Sequence, residues 1–110
     1  MKVLDYSNFL EKLINTDFDT VSLSDAFSLK LEYLYLCSGI SLFEFALAIN
    51  LNYSYFNDLL RGKKYISLNK IECISNALHM SIIDLFDFSP LLTMKEEQCF
   101  IKFPIYESLF

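Results

Sequence analysis

The chain is poor in the residues that interrupt structure, with two glycines and two prolines in 110 residues. Beside that scarcity stand 54 % hydrophobic and 16 % aromatic residues, which excludes intrinsic disorder, because disordered segments are too polar to offset their ordering entropy. No repeat or low-complexity tract is present. Cysteine is sparse: Cys37, Cys73 and Cys99 are odd in number, far apart and without a Cys-x-x-Cys pair. That excludes a disulfide framework and a zinc ribbon and leaves reduced, structural thiols. The lone histidine, His79, has no paired carboxylate or nucleophile motif around it, and no glycine-rich phosphate loop occurs. No enzyme chemistry, metal or cofactor is therefore expected. Asp17-Phe18-Asp19 lacks the glycine turn and distal glutamate of a calcium site and reads as a loop.

Long apolar runs are missing too. Between Tyr33 and Asn57 the only charge is Glu44, but Ser38, Gly39, Ser41, Asn50 and Asn52 interrupt the stretch, and a membrane helix needs roughly 18 apolar residues in a row. The opening Met-Lys-Val-Leu-Asp-Tyr-Ser-Asn has neither an apolar core nor a small-residue cleavage site. The expectation is a cytoplasmic protein without a membrane partner. Excess positive charge is also lacking: a net charge of −5 excludes a nonspecific nucleic-acid coat, which needs a broadly basic surface.

What basic charge there is, however, is concentrated. Residues 1–25 and 89–110 are acidic on balance, whereas the segment from Phe56 to Lys70 holds Arg61, Lys63, Lys64 and Lys70 against Asp58 alone. Any phosphate-binding surface belongs there. The length suits one domain with a real core, since domains typically run about 100–150 residues, and so many apolar residues on a small body imply a partner surface, first of all for self-association.

Along the chain, Val3, Tyr6, Leu10 and Leu13 recur at helical spacing with Phe9 and Ile14 alongside, predicting an amphipathic helix over 3–14. Residues 15–25 read as a linker, with Ser24 as a candidate N-cap. From Asp25 to Ser38 two apolar stripes run in parallel, one of Phe27, Leu31, Leu34 and Tyr35, the other of Leu29, Tyr33 and Leu36. A helix apolar on two faces is buried on two faces: one meets the central core, the other either the N-terminal helix or a second subunit. Ser41-Leu42-Phe43-Glu44 is a capping box that opens a helix running through Phe45, Ala46 and Ile49. Asn50 tolerates the left-handed backbone of a sharp turn, and Asn52 caps a second helix from Tyr53 to Arg61 with Phe56, Leu59 and Leu60 inward. Gly62 ends it with positive φ, and a basic loop follows. Ser67 opens a helix whose inner face is Leu68, Ile71, Ile74, Ser75 and Leu78, His79 takes a left-handed position after it, and Ser81-Ile82-Ile83-Asp84 is a second capping box. Ser89-Pro90 breaks the helix. The apolar run Cys99 to Tyr106 with its proline reads as an edge strand or partner-clasping arm.

From Gly39 to Phe86, without a gap, this pattern resembles the phage-repressor (Cro/XRE-type) helix-turn-helix family. The family's landmarks appear as Gly39-Ile40-Ser41, Phe45-Ala46, Asn50-Leu51-Asn52, Arg61-Gly62-Lys63-Lys64 with Ser67-Leu68, and Ala77-Leu78-His79-Met80-Ser81 with Leu85-Phe86. The chain departs from it in Leu42, where the family commonly has a phosphate-binding Gln, in Leu60, where many members have Glu, and in a reading helix with no basic residue before Arg61. The resemblance implies an all-α fold, a compact five-helix domain over 25–88 preceded by a helical extension over 1–24 and followed by a short, strand-like tail over 89–110. It implies no enzyme. It places Tyr53, Ser54, Asn57 and Asp58 at base-reading positions in the major groove, and Asn52, Arg61, Lys63 and Lys64 on phosphates. The function it implies is a transcriptional regulator that binds a palindromic operator in double-stranded DNA as a homodimer. Candidate dimer surfaces are Leu29, Tyr33 and Leu36, the N-terminal helix, and the tail with Phe100, Ile101 and Phe103. The acid excess, Leu42 and Asp58 keep a second reading open, in which the fold serves as a protein-interaction module such as an antirepressor, an antitoxin-like partner or an inhibitor.

Overall fold

The computed structural model describes the backbone of residues 3–100 and the side chains of residues 6–97. Seven helices follow one another among the described residues: α1 (Val3–Ile14), α2 (Leu23–Ser38), α3 (Leu42–Ala48), α4 (Tyr53–Leu60), α5 (Leu68–Leu78), α6 (Ile82–Leu85) and α7 (Ser89–Phe100).

Local chemistry sets most of their ends. The Ser41 hydroxyl accepts the Glu44 N–H and the Glu44 carboxylate accepts the Ser41 N–H, closing the capping box of α3. At α6 only the first half forms: Ser81 accepts the Asp84 N–H, and an aspartate is one methylene shorter than the Glu or Gln that reaches back in a full box. Ser67 caps α5 by accepting the Lys70 N–H. The cap of α2 is Ser22, which accepts the Asp25 N–H, so this helix starts one cap earlier than the Ser24 expected from the sequence. Asn50 at φ 60° and His79 at φ 55° hold the left-handed positions after α3 and α5, as expected for a residue and a site that tolerate that region.

Two clusters of side chains form the interior. The first gathers Phe27 and Leu31 of α2, Phe45 and Ala46 of α3, Ile49 and Leu51 of the turn after it, Phe56 and Leu59 of α4, Ile71 and Ile74 of α5, and Leu85 of α6. Aromatic contacts tie it together: Tyr35 meets Phe45 edge-on at 5.8 Å, and Phe45 stacks on Phe56 at 5.7 Å. Ala46, buried in this cluster, has a side chain small enough to let helices approach closely. The second cluster joins Phe9, Leu10 and Leu13 of α1, Leu29 and Leu36 of α2, and Leu91 of α7.

That second cluster corrects the dimer surface read from the sequence. Leu29 and Leu36 are each 7 % exposed and Tyr33 is half-buried. Of the two occupants open for this stripe, the chain's own α1 and α7 take it, so Leu29 and Leu36 are core residues and offer nothing to a second copy. The tail is also corrected. Ser89-Pro90 breaks no helix, since α6 already ends at Leu85; it opens α7, where Asp87 accepts the Ser89 N–H at 3.0 Å and a proline in a first turn sacrifices no helical bond. Cys99 and Phe100 thus lie in a helix, where an edge strand or a partner-clasping arm was expected, and Ile101 and Phe103 lie outside the described residues. Leu68, expected inward, is 83 % exposed. It is the first residue of α5, and helical side chains lean toward the N-terminus, which carries it past the edge of the core that begins at Ile71.

A buried charge joins the last elements. Lys30, 3 % exposed, donates to the Asp84 carbonyl at 3.2 Å and to the Asp87 carbonyl, placing a cation against the carbonyl end of α6, the favourable side of a helix dipole. Among the described residues no single helix is long and apolar enough to cross a membrane.

Candidate nucleic-acid interface

The turn between α3 and α4 is three-point fastened. Leu51 N–H reaches the Ala46 carbonyl at 2.9 Å, Asn50 N–H the Leu47 carbonyl at 3.1 Å, and the Asn52 side chain accepts the N–H groups of Ser54 and Tyr55 at 2.8 and 3.3 Å. Leu51 is buried beneath it. A helix whose start is fixed this way presents a defined set of side chains.

At about 100° per residue, Tyr53, Asn57, Ser54 and Asp58 occupy one arc of α4 and Tyr55, Leu59, Phe56 and Leu60 the opposite arc. Burial follows the division: Phe56 and Leu59 are fully enclosed, Asn52, Tyr53 and Ser54 are exposed, and Asn57 and Asp58 are half-buried. The four expected base-reading positions therefore share one face. Asn52 sits at its start, and Arg61, Lys63 and Lys64 are exposed beyond its end.

Those three cations form no ion pair among the described residues. Their loop is shaped from both sides. Arg61 caps α4 with its N–H on the Asn57 and Leu59 carbonyls, Gly62 takes φ 76°, and the Lys63 N–H returns to the Asp58 carbonyl at 2.9 Å. On the far side the Tyr55 hydroxyl donates to the Tyr65 carbonyl at 3.2 Å, and Lys70 lies over the Tyr55 ring at 4.8 Å. Burial pushes the Tyr55 hydroxyl above the ordinary tyrosine range, because a phenolate is poorly solvated there. Tyr55 thus faces the loop, and Tyr53 is the tyrosine that faces outward.

Two residues passed over in the sequence belong to this surface. Phe43 is 56 % exposed and Leu47 61 % exposed on the outer side of α3, and the Phe43 and Tyr53 rings meet at 6.0 Å. The signal was available: one turn apart, they fall about 100° and 140° round from Leu42 on the helical wheel, away from the core arc of Phe45, Ala46 and Ile49. Leu42 is half-buried against the core.

Two short helices at a tight, capped turn, the second with a solvent-facing arc ending in unpaired cations, define a helix-turn-helix protein. Residues 30–90 match the Cro/C1-type HTH DNA-binding domain family, and the chain belongs to that family. Comparison with curated proteins and with solved structures found no match.

Proposed function

We propose that this protein is a sequence-specific transcriptional regulator of the cytoplasm that binds a palindromic operator as a homodimer. Tyr53, Ser54, Asn57 and Asp58 read base edges, and Asn52, Arg61, Lys63 and Lys64 hold phosphates. The observation that carries this reading is the set of exposed, unpaired Arg61, Lys63 and Lys64 at the end of the exposed arc of α4, since cations free of carboxylates are available to phosphate oxygens. Polar side chains on the arc suit base edges, and Asp58 suits the cytosine amino group, at the cost of repelling phosphate. In this reading residues 25–88 bind DNA, residues 1–24 brace them, and the tail over 89–110, with Phe100, Ile101 and Phe103, meets the second copy. Two-fold symmetry then sets the half-sites about one helical turn apart.

A second reading has its own support. Phe43 and Leu47, at 56 and 61 % exposure, give the outer side of α3 apolar area that a phosphate backbone does not cover well, and a protein partner does.

Selection of bound sites from a random double-stranded pool at about 50 mM salt, where phosphate contacts are strong, tests the proposal. The Tyr53→Ala/Ser54→Ala variant is run alongside. A palindrome enriched by the native protein and lost in the variant is the expected result. No enrichment by the folded protein overturns it in favour of the partner-binding reading.

A further inference from the structure

The carbonyl end of α4 is held by residues that precede the family match. The Ser28 hydroxyl donates to the Leu59 carbonyl at 3.2 Å, and the Lys12 ammonium reaches the Leu60 carbonyl at 3.4 Å from α1. The second contact is long for a bond to a charged donor. What keeps the ammonium there is Glu32 of α2, whose carboxylate pairs with Lys12 and whose side chain is 11 % exposed against 44 % for the lysine. The Glu32 carboxylate is therefore the fixed point, and Lys12 spans from it to α4.

Among the described residues little else joins α1 to α4. An open cleft of about 800 Å³ is lined by Lys12, Ser28, Glu32, Leu60, Arg61 and Gly62, so apolar packing does not fill this corner. A cation at the carbonyl end of a helix is attracted by the partial negative charge of its unpaired carbonyls. Leu60 is the last residue before Arg61, Gly62 and the lysine pair, so the contact acts one residue from the cations assigned to phosphate.

We propose that Lys12 is a positioning residue for the DNA-reading helix: clamped between Glu32 and the Leu60 carbonyl, it couples the N-terminal helix to the register of α4 and of the Arg61–Lys64 loop. The DNA part of this proposal rests on the operator reading above. The clamp itself does not, and it is tested separately.

The experiment uses the full chain with Lys12→Met, Lys12→Arg and Glu32→Gln. It reads affinity for the selected operator by fluorescence anisotropy and amide hydrogen exchange across 59–64, with α5 as internal reference. Lys12→Met is expected to weaken operator binding about tenfold, within the usual range of coupling between sites, and to speed exchange at Gly62 and Lys63 but not in α5. Lys12→Arg keeps a cation of similar reach and restores both. Glu32→Gln also weakens binding, although it removes a negative charge that would repel DNA.

Unchanged exchange and binding within twofold in Lys12→Met overturn the proposal. So does a Lys12→Met defect with Glu32→Gln binding normally and the salt slope reduced by about 0.9, the signature of one lost phosphate contact. If no operator is enriched, the operator reading fails and hydrogen exchange alone decides the clamp.

Discussion

The hydroxyl of Tyr55 donates to the carbonyl of Tyr65 across 3.2 Å, and this bond ties the inner flank of α4 to the far end of the basic loop. The loop is therefore held at both ends by α4, through the Lys63 N–H on the Asp58 carbonyl and through Tyr55. Tyr55→Phe keeps the ring and loses the bond, so thermal unfolding should show a loss of about 0.5–1.5 kcal/mol. The raised Tyr55 hydroxyl adds a pH signature. A group raised on folding contributes stability that is intact below its unfolded pKa and is lost as pH rises through the folded one, so stability should decline above about pH 10. Less decline is expected in Tyr55→Phe, and an identical alkaline limb in both proteins would refute the assignment.

Lys63→Glu with Lys64→Glu separates DNA from protein recognition. Both residues are exposed, so unfolding should shift by no more than about 0.5 kcal/mol. Operator affinity should fall by at least about a hundredfold, with a shallower salt dependence, because each phosphate neutralised contributes about 0.9 to the slope. Titration of labelled operator at several salt concentrations measures both.

Gly62 stands at φ 76° with nothing within 4 Å of where a Cβ would sit. Space is not the constraint there; backbone conformation is. Gly62→Ala should cost about 1–2 kcal/mol, the penalty of a left-handed residue with a side chain, and Gly62→Asn should cost less, since asparagine enters that region more readily. Chemical denaturation of the two variants gives the order.

Lys30 is buried and bonded to the Asp84 and Asp87 carbonyls. Lys30→Met preserves the aliphatic length and removes the donor, so a loss of about 1–3 kcal/mol is expected in equilibrium unfolding. Nearby, the Ser89 hydroxyl and N–H, and more weakly the Lys30 charge, hold the Asp87 carboxyl below its ordinary range. A carboxylate lowered on folding contributes stability that is present above its unfolded pKa and is lost as pH falls through the folded one. Stability should therefore drop below about pH 4, and Asp87→Asn should flatten that acid limb.

The helix-turn-helix was legible because its signals are short-range. Ser41 with Glu44, Asn52, Ser67 and Ser81 act within three residues, and Asn50, Gly62 and His79 take left-handed φ right after the apolar spacing of a helix ends. The outward arc of α4 followed from the positions of Phe56 and Leu59. Ser22 was missed in favour of Ser24 although Ser22-Leu23-Ser24-Asp25 carries the same Ser-x-x-acid spacing as Ser81 to Asp84, a local signal that the Asp25 N–H on Ser22 realises. Leu68 was misplaced because periodicity assigns a face but not how far the core extends along it.

What the sequence by itself determined is the family, the order and ends of the central helices, and the cationic loop after α4, since each depends on contacts within one turn or on a spacing that the chain carries with it. The tertiary structure decided which partner covers Leu29 and Leu36, whether Tyr55 faces outward, and what holds the carbonyl ends of α4 and α6. Lys12 meets Leu60 from 48 residues away, and Lys30 meets Asp84 and Asp87 from 54 and 57. A lysine's chemistry allows either a solvated charge or a clasp on a distant carbonyl, and only the placement of α1 beside α4 and of α2 beside α6 brings those carbonyls within reach.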